Sequence, residues 1–167
     1  MPYFFRKRSL YLIILIIIIL RYFMQMNENE IILNDFNSIK LNMSANLERI
    51  ICEQDLVNFA EVCGDTNPIH LNKQFAEKSI FGAQVSHGML VVSFISAVFG
   101  TIFPGPGWIY ISQNIEFKAP VFIGDKVRVN VTVTKIFKLR KVIEFKTRVT
   151  VRDKTVVDGV AMLKAPQ

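Results

Sequence analysis

The sequence predicts an α+β domain in which helices come first and an antiparallel sheet follows. Three observations predict it: a helix-period stretch over Glu53–Gly64, a fifteen-residue apolar run from Met89 to Phe103, and a last third in which apolar and polar residues alternate. The chain has 167 residues, enough for one domain with a sizeable core, and its 14 Phe and 20% charged residues exclude a disordered or low-complexity sequence. A large multidomain enzyme is excluded by length.

The formal net charge of +6 is unevenly placed. Arg6, Lys7, Arg8 and Arg21 lie in residues 1–23 with no acid among them, so over the rest of the chain sixteen basic residues face fourteen acidic ones. Residues 10–20 (LYLIILIIIIL) are continuously apolar, and they also raise the hydrophobic fraction. A transmembrane helix needs about 20 apolar residues, and Arg21 breaks this run short of that. Residues 1–23 are therefore read in three ways: a membrane anchor, a signal, or a start site placed too early, with Met24 or Met26 as the true first residue. Residues 24–44 form a polar, Asn-rich lead-in, and the domain is expected over 45–167. The expected location is the cytoplasm, with membrane contact only if residues 1–23 are retained.

Within the domain, the stretch around Leu47–Cys52 reads as extended. Leu56, Phe59, Val62 and Cys63 then recur at helical spacing until Gly64 stops the helix. DTNPIH is a loop, a short helix fits Asn72–Lys78, and FGAQVSHG leads into the Met89–Phe103 run, which suits a buried helix. PGPG at 104–107 ends it. Val127, Val129, Val131 and Val133 alternate with polar residues as a half-buried antiparallel strand does. Further strands are expected at Gly107–Lys118, Val142–Val151 and Thr155–Leu163. Cys52 and Cys63 suit neither a disulfide scaffold nor a zinc site, and read most simply as reduced core residues.

The two histidines of the chain, His70 and His87, flank the short helix. Asp65 and His70 sit five residues apart on a loop that Pro68 and Gly64 make locally stiff, a setting that suits an acid–base pair. Spacing leaves the alternative open, that Asp-x-Asn-Pro is turn chemistry and His70 a structural residue. In Ser86-His87-Gly88-Met89, directly before the apolar helix, the Gly88 N–H is a candidate oxyanion donor, because the first amides of a helix have no internal acceptor. The alternative makes Ser86 an N-cap and Gly88 a packing requirement.

GDTNPIH followed by LNKQFAEKS resembles the hydratase signature of the MaoC-like, (R)-specific enoyl-CoA hydratases. VSHGML, PGPGWIYISQNIEFKAPVFIGD and the terminal strands match the same family in order, over roughly residues 45–165, and are most similar to the short bacterial forms that feed polyhydroxyalkanoate synthesis. The resemblance implies a hot-dog fold, a central helix wrapped by an antiparallel sheet, paired as a homodimer. It implies that Asp65 and His70 are the catalytic pair, that the Gly88 amide binds the thioester carbonyl, that Ser96 supports Asp65, that Asn67 shapes the loop, and that His87 has a supporting role. Asn72 departs from the family pattern, where aspartate is common, and Ser86 stands at a position that varies.

The implied reaction is reversible addition of water across trans-2-enoyl thioesters to give (R)-3-hydroxyacyl thioesters, with acyl-CoA or acyl carrier protein as the thioester partner. No metal or redox cofactor is expected, in keeping with a sequence that lacks ligand clusters and phosphate-binding glycine motifs. Phe99, Trp108 and Ile109 are candidates for setting the depth of the acyl tunnel. The rival readings are an acyl thioesterase on the same fold and a non-catalytic acyl-binding module. The GDTNPIH loop argues against the first, and the joint presence of Asp65, His70, Gly88 and Ser96 against the second. No nucleic-acid partner is expected, because Lys135, Lys138, Arg140, Lys141 and Lys146 read as hairpin turns and solvated strand faces.

Overall fold

The computed structural model describes residues 34–166. The expected identity of residues 1–23, and the first part of the lead-in, lie outside the described residues. Five antiparallel strands, β1 Ser44–Ile50, β2 Ile109–Phe117, β3 Lys126–Phe137, β4 Val142–Val151 and β5 Lys154–Lys164, form one sheet in the order β1-β3-β4-β5-β2. Between β1 and β2 lie α1 Glu53–Cys63, α2 Pro68–Leu71, α3 Lys73–Glu77 and α4 Gly88–Ala97, the last continuing as a π-helical turn over Val98–Ile102. No helix among the described residues is long and apolar enough to cross a membrane.

The valine alternation is what builds the sheet's inner face. Val127, Val129, Val131 and Val133 are all fully buried, joined by Phe145, Val149 and Leu163 from the neighbouring strands. α4 packs against β3 and β4 through Val91, Phe94, Ile95 and Val98, so an antiparallel sheet buries one face against one helix. β3 runs past the end of its alternation because a bulge between Val133 and Lys135 shifts the register by one residue, breaking the period while the strand carries on to Phe137. Inside this layer, Gln113 donates to the buried Thr147 Oγ1 at 3.0 Å and accepts from the Tyr110 hydroxyl, and burial pushes the Tyr110 phenol up to about 12, leaving it a neutral donor.

Four expectations need correction. The folded body begins ahead of residue 45: Ile39 is buried in the core, Phe36 stacks on Trp108 and the Asn34 amide donates to Pro104 O, because the Asn-rich composition hides two core-facing residues. Cys52 and Cys63 are exposed, since both sit at the ends of α1, where Cys52 is the N-cap facing Asp55. Val62 is also exposed, so the buried stripe of α1 is narrower than its spacing suggests and rests on Leu56 and Ala60. The apolar helix is covered on one side only: Met89, Ser93, Ser96, Ala97 and Gly100 form an open strip at helical spacing.

Phe145 of β4 meets Phe99 and Phe103, at the end of the helix, edge-on at 5.0 and 5.9 Å. Phe145→Ala is expected to lower stability by about 3–5 kcal/mol in urea unfolding, the usual result of emptying a phenylalanine site in a packed core. A loss below about 1 kcal/mol would show that this cluster does not hold helix and sheet together.

Candidate active site

The site is built at the N-terminal end of α4, where the loop after α1 crosses it. Gly64 closes α1 in the left-handed conformation, φ 80°, with its N–H on Ala60 O at 2.8 Å, a cap that favours a residue without a β-carbon. The chain then turns through Asp65, whose Oδ1 accepts from Asn67 N–H at 3.2 Å. Asn67 in turn caps α2, its Oδ1 accepting from Ile69 N–H, with Pro68 at the first helical position. DTNPIH is thus partly a helical turn, which its length of four residues hid from a periodicity reading; Asn before Pro was the available signal. Asn72 caps α3 through Phe75 N–H, so its departure from the family pattern leaves this local anchor intact.

His70 is buried at the end of this turn, and its Nδ1 lies 2.8 Å from Val85 O. A carbonyl oxygen only accepts, so Nδ1 carries the hydrogen and Nε2 is left to face the site. Nε2 stands 3.8 Å from Asp65 Oδ2, too far for a direct hydrogen bond, while the Asp65 side chain remains half-exposed. His87, also buried, places Nε2 at 2.9 Å from Asp65 O, and its ring lies on that of His70. His87, not Ser86, is the N-cap residue of α4; Ser86 is held by its N–H on Val121 O at 2.7 Å.

Gly88 opens α4, and no hydrogen bond among the described residues uses its N–H. A β-carbon at this position would stand 2.7 Å from Cε1 of the Phe117 ring, so the packing reading of this glycine has a physical basis beside the oxyanion one. Asp65, His70, His87, Gly88 and Phe117 all line one largely apolar cavity of about 660 Å³, walled further by Phe59, Phe81 and Val121. Lys118 stands in the same lining, its ammonium held above the usual lysine value by the hydrogen bond to Glu116.

The structure does not bring Ser96 to Asp65. Ser96 is exposed on the open strip of α4, eight residues beyond Gly88 and so roughly 12 Å along the helix axis. Phe99, Trp108 and Ile109 do not line the cavity either. Sequence reasoning missed Val85, whose carbonyl sets the His70 tautomer and which no side-chain signal could reveal, and Phe117, whose ring covers Gly88. Asp65, His70 and His87 hold donor atoms within 4.8 Å of one another; each imidazole uses one nitrogen on a backbone carbonyl and keeps the other as a possible ligand atom.

A single antiparallel sheet on a central helix defines a hot-dog domain, and one cavity in it holds a carboxylate and an imidazole 3.8 Å apart beside the first amide of that helix. The chain belongs to the MaoC-like family: the model of the MaoC like domain matches residues 35–155. It is 45% identical to the (R)-specific enoyl-CoA hydratase of Rhodospirillum rubrum over 84% of this chain and 98% of that protein. It is 42% identical to the 3-hydroxybutyryl-CoA dehydratase of Methylorubrum extorquens, over 79% and 84%. Among solved structures, the (R)-hydratase from A. caviae involved in PHA biosynthesis superposes with a TM-score of 0.76 at 34% identity, over 77% of this chain and 98% of that one. The unliganded R-hydratase from Pseudomonas aeruginosa gives 0.77 at 36%, over 80% and 86%.

Gly88→Ala is expected to lower turnover about tenfold or more, by displacing Phe117 and crowding the free amide. In the double variant Gly88→Ala/Phe117→Ala, thermal stability should return toward wild type while turnover stays low. Full recovery of turnover would show that glycine is needed only to admit the Phe117 ring.

Proposed function

We propose that this chain is a hydro-lyase that adds water reversibly across trans-2-enoyl thioesters to give (R)-3-hydroxyacyl thioesters. The observation that carries the reading is the 3.8 Å gap between Asp65 Oδ2 and His70 Nε2 in the cavity that also holds the Gly88 N–H. A water hydrogen-bonded at about 2.8 Å to each group fits between them. In the hydration direction Asp65 takes a proton from that water as its oxygen bonds to C3, and protonated His70 gives the Nε2 proton to C2. The charge gathering on the thioester oxygen falls on the Gly88 N–H, a contact of a kind worth about 2.7–4 kcal/mol in acyl-transfer enzymes. The proton on Asp65 then returns to His70, and no net proton is gained or lost. Nδ1–H on Val85 O keeps the imidazole oriented through both states. The apolar lining suits the acyl chain of a coenzyme A or acyl carrier protein thioester, and Lys118, paired with Glu116, stands at its edge.

No step requires a metal or redox cofactor. Asp65→Ala and His70→Ala should each abolish the loss of enoyl-thioester absorbance on incubation with crotonyl-CoA, and prior treatment with EDTA should leave the wild-type rate unchanged. Retained turnover in both variants would sink the acid–base assignment, and a rate lost to EDTA and restored by a divalent ion would sink the metal-free one.

We also propose that the chain works as a homodimer. The open strip of α4 carries the small residues Ser93, Ser96, Ala97 and Gly100, which allow close approach of a second helix, and the edge strand β2 exposes Ile109, Ile111 and Phe117. Sedimentation equilibrium should give twice the chain mass, and Ala97→Arg should shift it to the monomer; a wild-type monomer at micromolar concentration would overturn the pairing.

A further inference from the structure

The proposed reaction uses one of the two histidines in the cavity, and the other is the more deeply buried. His87 is 2% exposed against 8% for His70. Burying an imidazole is costly unless its nitrogens find partners, yet only one of them does. Nε2 lies 2.9 Å from Asp65 O, while Nδ1 is buried with no hydrogen-bond partner among the described residues. Because the carbonyl only accepts, Nε2 must carry the hydrogen. The ring itself is stacked against His70, with centroids 3.8 Å apart and planes 31° from parallel, and tilted against Phe59 at 5.2 Å.

We infer that His87 is a positioning residue of the hydratase: its Nε2–H anchors the Asp65 carbonyl and its ring seats the His70 imidazole, together holding the gap in which the water is activated. This rests on the acid–base reading of Asp65 and His70. Asp65 follows α1 on irregular backbone, its N–H meets only Cys63 Sγ, at 3.4 Å, among the described residues, and its carboxylate is half-exposed. The bond from His87 is what ties this residue, from 22 positions away, to the end of a helix fixed in the core. An apolar ring at position 87 would fill the space and stack on His70, but would leave the Asp65 carbonyl unanchored.

Two variants separate the hydrogen bond from the filling of space. His87→Phe keeps a ring and loses the donor; His87→Gln loses the ring and restores an N–H near the place of Nε2. On crotonyl-CoA, His87→Phe is expected to lower kcat about 10- to 100-fold with KM within about threefold, and His87→Gln to recover most of that loss. Wild-type kcat in His87→Phe, or equal losses in the two variants, would overturn the role. Because either variant could fail to fold, the wild-type protein gives an independent reading: with only two histidines to assign, its 15N imidazole spectrum should show the His87 ring with its hydrogen on Nε2 and none on Nδ1. Finding His87 in the Nδ1–H form overturns the inference whatever the variants do. A wild-type chain inactive on crotonyl-CoA speaks against the hydratase reading itself, whereas an active wild type with an equally active His87→Phe speaks against His87 alone.

Discussion

The burial of one face of α4 in the sheet is the constraint on which everything else depends. Leu90, Val91, Phe94, Ile95, Val98 and Phe99 leave water together against the valines of β3 and Phe145 of β4. At about 1.5–3 kcal/mol for each large apolar side chain, this one contact is of the same order as the whole net stability of an ordinary domain. The helix therefore cannot shift without unfolding the body of the protein, and its first residues are fixed in space. His87 and Gly88 take their positions from the core, not from a loop.

The other half of the site is a loop, and it is tied to that rigid end by backbone carbonyls. His70 Nδ1–H reaches Val85 O, the Gln84 amide reaches His70 O, and His87 Nε2–H reaches Asp65 O. Each bond fixes an orientation as well as a distance, because a carbonyl acceptor dictates which nitrogen of an imidazole bears the hydrogen. His70 is thereby left with Nε2 toward the carboxylate. The carboxylate itself is held on its other oxygen by Asn67 N–H, so Oδ2 remains free to meet a water. Proline and asparagine act here as loop builders, and the chemistry comes from what the loop leaves unsatisfied.

Much of this was legible in the sequence, for physical reasons that differ by element. β3 to β5 were legible because a strand buried on one face must alternate, and a tight turn such as Arg152-Asp153, with its left-handed backbone, separates one strand from the next. α4 was legible from its length and unbroken apolarity, but that same uniformity hid its open strip, since small residues such as Ala97 and Gly100 fit either a core or a surface. The bulge after Val133 was not legible, because an inserted residue leaves no mark except a lost period. GDTNPIH and VSHGML singled out Asp65, His70 and Gly88, and the fold brings all three to one cavity. Their partners were not: Val85 acts through its carbonyl, and the tautomers of two histidines are decided by the fold.

Ser96 shows where reading one chain stops being enough. The resemblance gives it a supporting role at Asp65, yet within one chain it faces outward, beside Ser93 and Ala97. Its own Asp65 lies at the far end of the helix, and no rotamer of a serine spans that length. The strip it occupies is the surface through which the proposed homodimer closes, together with the exposed apolar residues of β2. Phe117 belongs to both regions at once: its ring covers Gly88 and lines the cavity, while half of its surface lies open on the edge strand. In the proposed pair, a wall of the cavity is therefore also part of the seam, and a change that loosens the seam at β2 reaches the Gly88 amide through a single aromatic ring.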